Sequence, residues 1–233
     1  MSDTAYIRRR GEIRTYFDRT AVEGWKRLAG NGPLSAIRET VRRGRAEMRA
    51  AMLSVLPADL SGWRVLDAGC GAGAMSVELA RRGANVVGID VAPSIVDFAR
   101  QNVPADLGSG TILFAAGDML SADLGRFDAV VAMDSLIHYE PETALAALAS
   151  LAERTDRQIV FTFAPWSPAL GLMHRVGKLF PRGDKSPAIV PVRPDRIADG
   201  MAGRLGAEGW RIGTTKRISS GFYTSQMMEV SRA

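Results

Sequence analysis

The sequence predicts an α/β fold built on a doubly wound, mostly parallel sheet of seven strands. Between residues 60 and 164, short apolar runs rich in β-branched residues alternate with segments in which apolar residues recur at helical spacing. This alternation requires crossover connections, which make the strands parallel and cover both faces of the sheet with helices. A glycine-rich stretch, 69-GCGAG-73, follows the first apolar run and indicates a ligand-binding turn between a strand and a helix.

Two helices are expected before the sheet, over residues 5–30 and 35–56. The first carries scattered apolar anchors, among them Tyr6. The second is amphipathic, because its apolar and basic residues separate at helical spacing. The apolar face comprises Ile37, Val41, Met48, Met52 and Val55, and the basic face comprises Arg38, Arg42, Arg45 and Arg49.

The central elements follow from the two periodicities. The predicted strands are 63–68, 85–90, 111–116, 127–134 and 158–164, and the predicted helices are 74–83, 93–102 and 141–154. Pro93 and Pro141 stand at helix starts, where the missing backbone N–H costs little.

The last third of the chain does not continue the regular alternation of strands and helices. Prolines and glycines interrupt residues 164–194, which we expect to form an irregular insertion. A helix over 195–210 and an antiparallel hairpin of strands 211–218 and 222–232 then complete the sheet at its edge. We therefore predict one domain in four parts. These are a helical N-terminal lid (1–56), a cofactor-binding core (57–163), a substrate-covering insertion (164–194) and C-terminal elements (195–233).

Composition excludes several classes of protein. No apolar run approaches the ~20 residues needed to span a bilayer. The first residues lack the apolar stretch of a signal peptide, so we expect a cytoplasmic location. Cys70 is the single cysteine, which rules out an internal disulfide and a cysteine-rich zinc site.

Charge is distributed unevenly along the chain. Residues 1–50 carry 12 Lys and Arg against 6 Asp and Glu, and residues 164–233 carry 11 against 5. Residues 51–163 carry 7 against 14. Basic flanks around an acidic middle suit an anionic substrate, an anionic membrane surface or nucleic acid.

Three acidic residues near the glycine-rich turn predict which cofactor binds there. Asp67 stands two residues before Gly69, where a carboxylate meets the ammonium group of a methionine moiety but would repel a pyrophosphate. Asp90 ends the second strand and can accept hydrogen bonds from both ribose hydroxyls. Asp118 and Met119 follow the third strand, where the carboxylate can accept from an adenine amino group while the thioether packs on the ring.

This set resembles the pattern of class I methyltransferases, which implies S-adenosylmethionine as the cofactor and a Rossmann-like fold. The remaining predicted cofactor contacts are Gly71, Cys70, Val91 and Met133. We interpret Cys70 as a small filler rather than a nucleophile, because no base is evident near it. A dinucleotide-binding oxidoreductase stays an alternative, since Ala74 also completes a G-x-G-x-x-A pattern.

The methyl acceptor is expected beside the fourth strand. That strand leads into 133-MDSLIHYEP-141, and the carboxyl ends of strands face the ligand crevice in doubly wound sheets. His138 and Tyr139 are therefore predicted to lie next to the acceptor.

Beyond these features, the chain resembles the magnesium-protoporphyrin IX O-methyltransferases of bacteriochlorophyll and chlorophyll synthesis nearly end to end. The resemblance is carried by 16-YF-17, 25-WKRL-28, 37-IRETVRRG-44, 66-LDAGCGAG-73, 136-LIHY-139, 163-FAP-165, 177-GKLFP-181 and 222-FYTSQMMEVSR-232. The N-terminal pattern combined with GKLFP and FYTS is the discriminating part. After W-x-R-L the family often has a tyrosine, whereas this chain has Ala29, so no acceptor role is carried over to that position.

The resemblance implies methyl transfer to a propionate carboxylate of magnesium protoporphyrin IX, giving the monomethyl ester. A propionate is ionised at neutral pH, so positioning rather than a strong base should drive the reaction. We hypothesise that His138 orients the reacting carboxylate, with Tyr16 and Tyr139 as further candidates.

Substrate contacts and partners follow from the same resemblance. We expect Arg38 or Arg42 to hold the second propionate, and Trp25 and Phe17 to cover the macrocycle. The large subunit of magnesium chelatase is implied as the donor of the substrate. The basic flanks also suit loose peripheral contact with a membrane. No metal ligand and no nucleic-acid partner are predicted.

Two other interpretations stay open from the residues alone. A methyltransferase acting on a quinone precursor or another small carboxylic acid would share the glycine turn and His138. A basic nucleic-acid-binding protein would keep the arginine face of the second helix but would give Asp118 no role.

Overall fold

A computed structural model describes residues 2–19, 36–166 and 187–232. Its seven strands form one sheet in the order β3-β2-β1-β4-β5-β7-β6. The strands are β1 (Arg64–Ala68), β2 (Asn85–Asp90), β3 (Thr111–Ala116), β4 (Phe127–Ala132), β5 (Thr155–Phe163), β6 (Trp210–Ser220) and β7 (Tyr223–Arg232). The first five pair in parallel, and β7 runs antiparallel between β5 and β6. This arrangement confirms the predicted fold class and the hairpin at the sheet edge.

Six α-helices lie within the described residues. They are α1 (Ser2–Arg19), α2 (Ala36–Ser54), α3 (Ala74–Arg81), α4 (Pro93–Gln101), α5 (Pro141–Ala152) and α6 (Pro194–Leu205). Short 3-10 turns occupy Ala122–Leu124, Leu136–His138 and Gly206–Glu208. Within this part of the chain, no helix combines the length and apolar character that a membrane crossing requires.

The helices cover the sheet on both faces, as parallel pairing requires. On one face, α2 and α3 bury Met48, Met52 and Leu79 against the sheet. On the other face, α5 and α6 bury residues such as Leu148 and Ile197. Each layer thus has its own apolar core, and the apolar face predicted for α2 is the one that packs at Met48 and Met52.

Several element boundaries differ from the prediction for identifiable reasons. Ile37, assigned to the apolar face of α2, is half exposed because the first turn of that helix extends past the sheet. The predicted helix over 195–210 ends at Leu205 and continues as a 3-10 turn, which stops at Gly209 with its left-handed φ of 84°. The fourth strand was predicted to reach residue 134, but Asp134 leaves it with a φ of 54°. Of the helix predicted over 5–30, residues 20–30 lie outside the described part.

The α1 helix lies across the carboxyl ends of the parallel strands. Tyr6 and Ile13 are buried in the same core as α5. At the other end of α1, the Asp18 carboxylate accepts a hydrogen bond from the backbone N–H of Ser94, in the first turn of α4, at 3.0 Å. The result is a cavity enclosed between the strand ends and this helix.

Candidate active site

The cavity lies between the carboxyl ends of the parallel strands and α1. Its floor is formed at the strand ends by Gly69, Gly71, Ile89, Asp90, Gly117 and Met133. Its roof is formed by three side chains of α1, Tyr6, Ile13 and Phe17. Asp134, Ser135, His138 and Tyr139 close one end. Ligand crevices of doubly wound sheets occupy this position.

The glycine-rich turn bends over the end of β2 and leaves room above it. The backbone N–H groups of Gly69 and Cys70 donate to the Ile89 carbonyl at 2.8 and 3.0 Å. Gly69 has a φ of 84°, and a Cβ there would come within 2.3 Å of the Ser135 Cβ. A Cβ on Gly71 would meet no atom within 4 Å, so this position faces open space. The turn therefore brings backbone to the cavity wall without side chains in the way.

Asp90 presents a carboxylate that the backbone holds in place. Its oxygens accept hydrogen bonds from the N–H groups of Gly71 and Ala92, each at 3.0 Å. Burial raises the pKa of Asp90, and these backbone hydrogen bonds oppose that shift. Asp90 is thus fixed at the floor, where it was predicted to meet a sugar.

Asp67 lies deeper than Asp90 and is not among the residues that line the cavity. Its carboxylate is buried and accepts a hydrogen bond from the Ser76 hydroxyl at 2.6 Å. Burial raises the pKa of Asp67 to about 6, against the opposing effects of that hydrogen bond and of the positive charge of Arg45. Its predicted contact with an ammonium group remains a prediction.

Two side chains of α1, the helix that forms the roof, contact Asp118. Its carboxylate accepts a hydrogen bond from the Tyr6 hydroxyl at 2.6 Å and forms an ion pair with Arg10. Met119, which follows it, lines the cavity as predicted for an adenine contact. The sequence analysis did not foresee the contact with α1, although Arg10 belongs to a conspicuous basic run, 8-RRR-10.

The other predicted cofactor contacts divide into two groups. Val91 and Met133 line the cavity. Cys70 does not, and it packs instead with Val96 and Phe114. Burial raises the pKa of its thiol well above the usual value, which disfavours the reactive thiolate.

His138 and Tyr139 stand where the sequence analysis placed them, at the turn after β4. The His138 ring lies 5.8 Å from the Phe17 ring between centroids, and burial lowers the pKa of His138. Tyr139 stacks on Tyr6 at 5.2 Å. Among the described residues, His138 Nδ1 and Ser135 Oγ are buried polar atoms without a hydrogen-bond partner. Because buried polar groups are normally paired, two such atoms at one cavity indicate a ligand site.

Only some of the residues predicted to contact the substrate line this cavity. Phe17 lines it, whereas Tyr16 packs edge-on against Phe17 at 5.1 Å and does not. Arg38 and Arg42 are not among the lining residues, and Arg42 pairs with Glu39 at 2.7 Å. Trp25, Ala29 and the 177-GKLFP-181 segment lie outside the described residues.

Two residues missed by the sequence analysis complete the site. Arg45, from the same basic face as Arg38 and Arg42, lines the cavity and donates to the Asp134 carboxylate at 2.7 Å. Asp134 follows a parallel strand, the same signal that singled out Asp90. Among the described residues, no cluster of three or more His, Cys, Asp and Glu side chains is placed to hold a metal ion.

Two family models match the chain. A general methyltransferase domain covers residues 65–157, and the C-terminal model of magnesium-protoporphyrin IX methyltransferase covers residues 132–232. The two matches overlap at the turn that carries Asp134 and His138.

Individual relatives point the same way. The magnesium-protoporphyrin O-methyltransferase of Rhodobacter capsulatus is 45% identical over 98% of this chain and 98% of its own length. The crystal structure of magnesium protoporphyrin IX methyltransferase from Synechocystis PCC 6803 with bound S-adenosylhomocysteine (SAH) has a TM-score of 0.80. It is 31% identical and covers 96% of this chain and 99% of its own. A ubiquinone biosynthesis O-methyltransferase of Xanthomonas oryzae is 33% identical over only 54% of this chain and 55% of its own length.

Proposed function

The chain belongs to the magnesium-protoporphyrin IX methyltransferase family, and from this premise we infer that it transfers a methyl group from S-adenosylmethionine to magnesium protoporphyrin IX. The observation that carries this inference is the extent of similarity. The magnesium-protoporphyrin relative matches 98% of the chain, and this length necessarily includes α1 and α2. The quinone-specific relative matches about half, which the shared methyltransferase fold explains.

We propose that the acceptor atom is a propionate carboxylate oxygen and that the product is the monomethyl ester, as bacteriochlorophyll and chlorophyll synthesis requires. A carboxylate is already the nucleophilic form at neutral pH, so its proton need not be removed. The rate then depends on holding the oxygen in line with the methyl group.

The floor of the cavity fits S-adenosylmethionine, which supplies an electrophilic methyl group on a sulfonium. Gly71 leaves the open space that a ligand needs, and Asp90 offers an oriented carboxylate to the ribose. Asp67 lies beneath the turn, where we assign it to the ammonium group. Asp118 and Met119 are assigned to the adenine, with Asp118 shared between the base and the roof.

His138 is assigned to the acceptor carboxylate. Because burial lowers its pKa, the imidazole is neutral at pH 7. A neutral ring can donate one N–H to the carboxylate and orient it without transferring a proton to the attacking oxygen. We assign this contact to the unpartnered Nδ1, which must then carry the single proton of the neutral ring. Tyr139 and Tyr16 are further candidates at the same end.

The flanks are assigned to the macrocycle. Phe17 in the roof and Trp25 in the segment that follows α1 supply aromatic faces for a flat porphyrin. Arg38 or Arg42 holds the second propionate at the mouth of the site. In this assignment, residues 1–56 and 164–194 form the cover that excludes water during methyl transfer.

We also propose two partners for this activity. The large subunit of magnesium chelatase hands over the poorly soluble substrate, and the basic flanks hold the protein loosely at an anionic membrane. In this assignment the protein is cytoplasmic, with peripheral membrane contact. Cosedimentation with phosphatidylglycerol vesicles at low and high salt tests the second partner.

A methyl-transfer assay tests the proposed function. The purified chain is incubated with magnesium protoporphyrin IX and S-adenosylmethionine, and the ester is detected by mass and by porphyrin fluorescence. The dimethyl ester of the same porphyrin is the matched control, because it has no free carboxylate. We expect one methyl group on the free acid and none on the diester. Methylation of a quinol precursor without methylation of the porphyrin would overturn the assignment.

A further inference from the structure

The described residues 117–126, which connect β3 to β4, contain no α-helix. The other connections between the parallel strands contain α3, α4 and α5, whereas this one has only the 3-10 turn Ala122–Leu124. An α-helix satisfies most of its own backbone groups, but an irregular connection needs other partners for its carbonyls. Because this connection carries Asp118 and Met119, the partners of its carbonyls affect the cavity.

Arg154 supplies two of those partners. It stands between α5 and β5, and its two terminal nitrogens donate to the carbonyls of Met119 and Ser121. Its Nε is buried and has no hydrogen-bond partner among the described residues. Hydrogen bonds from an ionised donor are stronger than those between neutral groups. The guanidinium therefore ties the connection to the end of α5.

The backbone around Arg154 is itself fixed. The Arg154 N–H donates to the Leu151 carbonyl at 3.2 Å, and the Arg154 carbonyl accepts from the N–H of Phe127, the first residue of β4, at 2.9 Å. The hydroxyl of Thr155, which is fully buried, also donates to the Leu151 carbonyl, at 2.7 Å. The guanidinium thus reaches the connection from a well-packed part of the core.

The two carbonyls lie within the stretch that lines the adenine end of the cavity. Met119 is buried and lines the cavity, and the Asp118 carboxylate accepts a hydrogen bond from the Leu120 N–H at 3.0 Å. Burial lowers the pKa of Arg154, and the negative charge of Asp118 opposes that shift, so the guanidinium lies near this carboxylate. Arg154 therefore holds the peptide groups that carry both residues.

We propose that Arg154 is a positioning residue for the cofactor, and that by fixing Asp118 and Met119 it makes binding selective for adenine. The 6-amino group of adenine donates to a carboxylate, whereas the 6-oxo group of hypoxanthine would place an acceptor against it. A loosened connection would let the carboxylate move away from the oxo group, so selectivity would fall. This inference rests on the proposed function in assigning Asp118 and Met119 to the adenine of S-adenosylmethionine. It does not depend on the methyl acceptor.

Two ligands that differ only in the base measure this selectivity. SAH contains adenine, and S-inosylhomocysteine contains hypoxanthine on the same ribose, sulfur and amino-acid head. Titration calorimetry of each ligand, with no porphyrin present, gives the Kd values. We expect the wild-type chain to prefer SAH about 30-fold. Arg154→Met should weaken SAH binding about 20-fold and S-inosylhomocysteine binding about threefold, so the preference falls to about fivefold.

Matched variants separate positioning from stability. Arg126→Met removes a guanidinium that also donates to a backbone carbonyl, that of Glu153 at 3.0 Å, but whose side chain is 58% exposed. Both affinities should stay within about twofold of wild type in this control. Arg154→Lys keeps the charge and can reach one of the two carbonyls, so it should restore the preference to about tenfold. Thermal unfolding checks that each variant is folded before titration.

The selectivity ratio decides the outcome. Equal weakening of both ligands by Arg154→Met would show that Arg154 only stabilises the fold, and wild-type affinities in this variant would show that the connection does not need it. If Arg154→Met did not fold, a wild-type preference in Arg154→Lys would overturn the proposal and a reduced one would support it.

Failure of the proposed function gives different results. A wild-type chain that binds both ligands equally would refute the assignment of Asp118 to the adenine and this proposal with it. A wild-type chain that prefers SAH but does not methylate the porphyrin would refute only the proposed acceptor.

Discussion

The floor and the roof of the cavity are held in place by different kinds of interaction. The floor is set by backbone, since the glycine turn donates to the Ile89 carbonyl and the Asp90 carboxylate accepts from backbone N–H groups. The roof is held by side chains. Tyr6 and Arg10 reach Asp118, and Arg9 donates to the His138 carbonyl at 2.7 Å. Backbone pairing within a sheet opens only when the sheet does, whereas side-chain contacts can break locally.

Asp118 links the two regions. It is assigned to the adenine as part of the cofactor site, yet it also anchors the roof through Tyr6 and Arg10. Arg9 similarly joins the roof to the turn that carries His138, because it donates to the His138 carbonyl. It also donates to the Ala188 carbonyl at 2.9 Å. The roof therefore touches both the end assigned to the cofactor and the end assigned to the acceptor. Changes in the floor should alter cofactor affinity, and changes in the roof should alter local stability.

The largest expected effect is at His138, between floor and roof. His138→Ala should lower kcat roughly 10²- to 10³-fold, because the acceptor carboxylate loses its orienting group. SAH binding should stay within about twofold of wild type, since His138 is assigned to the acceptor. His138→Gln, which keeps an N–H donor, should recover part of the rate. Equal losses of kcat and of SAH affinity would assign the histidine to structure.

The second effect concerns Asp67, the carboxylate buried beneath the floor. The folded pKa of Asp67, about 6, lies above the ordinary value of 3.8, so the folded state binds a proton more tightly than the unfolded state. Its contribution to stability is therefore favourable at low pH and is lost as the pH rises through that interval. Asp67→Asn should raise the free energy of unfolding of the cofactor-free protein by about 3 kcal/mol at pH 8, and by about half of that at pH 5.

Denaturant unfolding at the two pH values measures this difference, and SAH titration should show weaker binding by the same variant. Asp59→Asn is the control of opposite sign. A hydrogen bond from Ser61 lowers the pKa of Asp59, so removing its charge should cost stability near neutral pH. A stability gain for Asp67→Asn that does not grow with pH would contradict the assigned cause.

The third effect tests whether the open space above the glycine turn belongs to a ligand. Gly71→Ala should weaken SAH binding about 30-fold, because its Cβ would occupy the cavity. Gly62→Ala is a matched control, since Gly62 also has a positive φ and no atom within 4 Å, and it is not a lining residue. Both variants should lose about 1 kcal/mol of stability from the left-handed backbone. Similar SAH affinities for the two variants would show that the space above Gly71 is unused.

The smallest effect is expected in the roof. Tyr6→Phe removes the hydrogen bond to Asp118 but keeps the stacking on Tyr139. Opening of α1 should become easier by about 1 kcal/mol, which faster amide hydrogen exchange in α1 would report. Thr15→Ala, in the same helix, loses only a hydroxyl bonded to the Gly11 carbonyl and should change exchange little. Unchanged exchange in Tyr6→Phe would mean that the hydrogen bond from Tyr6 to Asp118 does not help to hold the roof.

Much of the floor was predictable because its signals are local. Apolar periodicity predicted the strands and their parallel pairing, and the glycines and acidic residues at strand ends marked Gly69, Gly71 and Asp90. The roof was less predictable. That α1 covers the cavity through Tyr6 and Phe17 depends on contacts with residues more than 100 positions away.

The basic face of α2 shows what the sequence could predict and what required the tertiary structure. Helical spacing alone places four arginines on one stripe, and the sequence analysis favoured Arg38 and Arg42. In the structure, Arg45 is the arginine of that stripe among the cavity-lining residues, because Gly44 lets α2 pack closely on Tyr223 and Asp134 accepts the guanidinium. The sequence by itself determined the fold class and the positions of the glycine-rich turn and of the turn after β4, since periodicity and backbone conformation are local properties. Only the tertiary structure decided which turn of α2 meets the cavity, because one helical turn moves a side chain by about 5 Å and that register is set by distant packing partners.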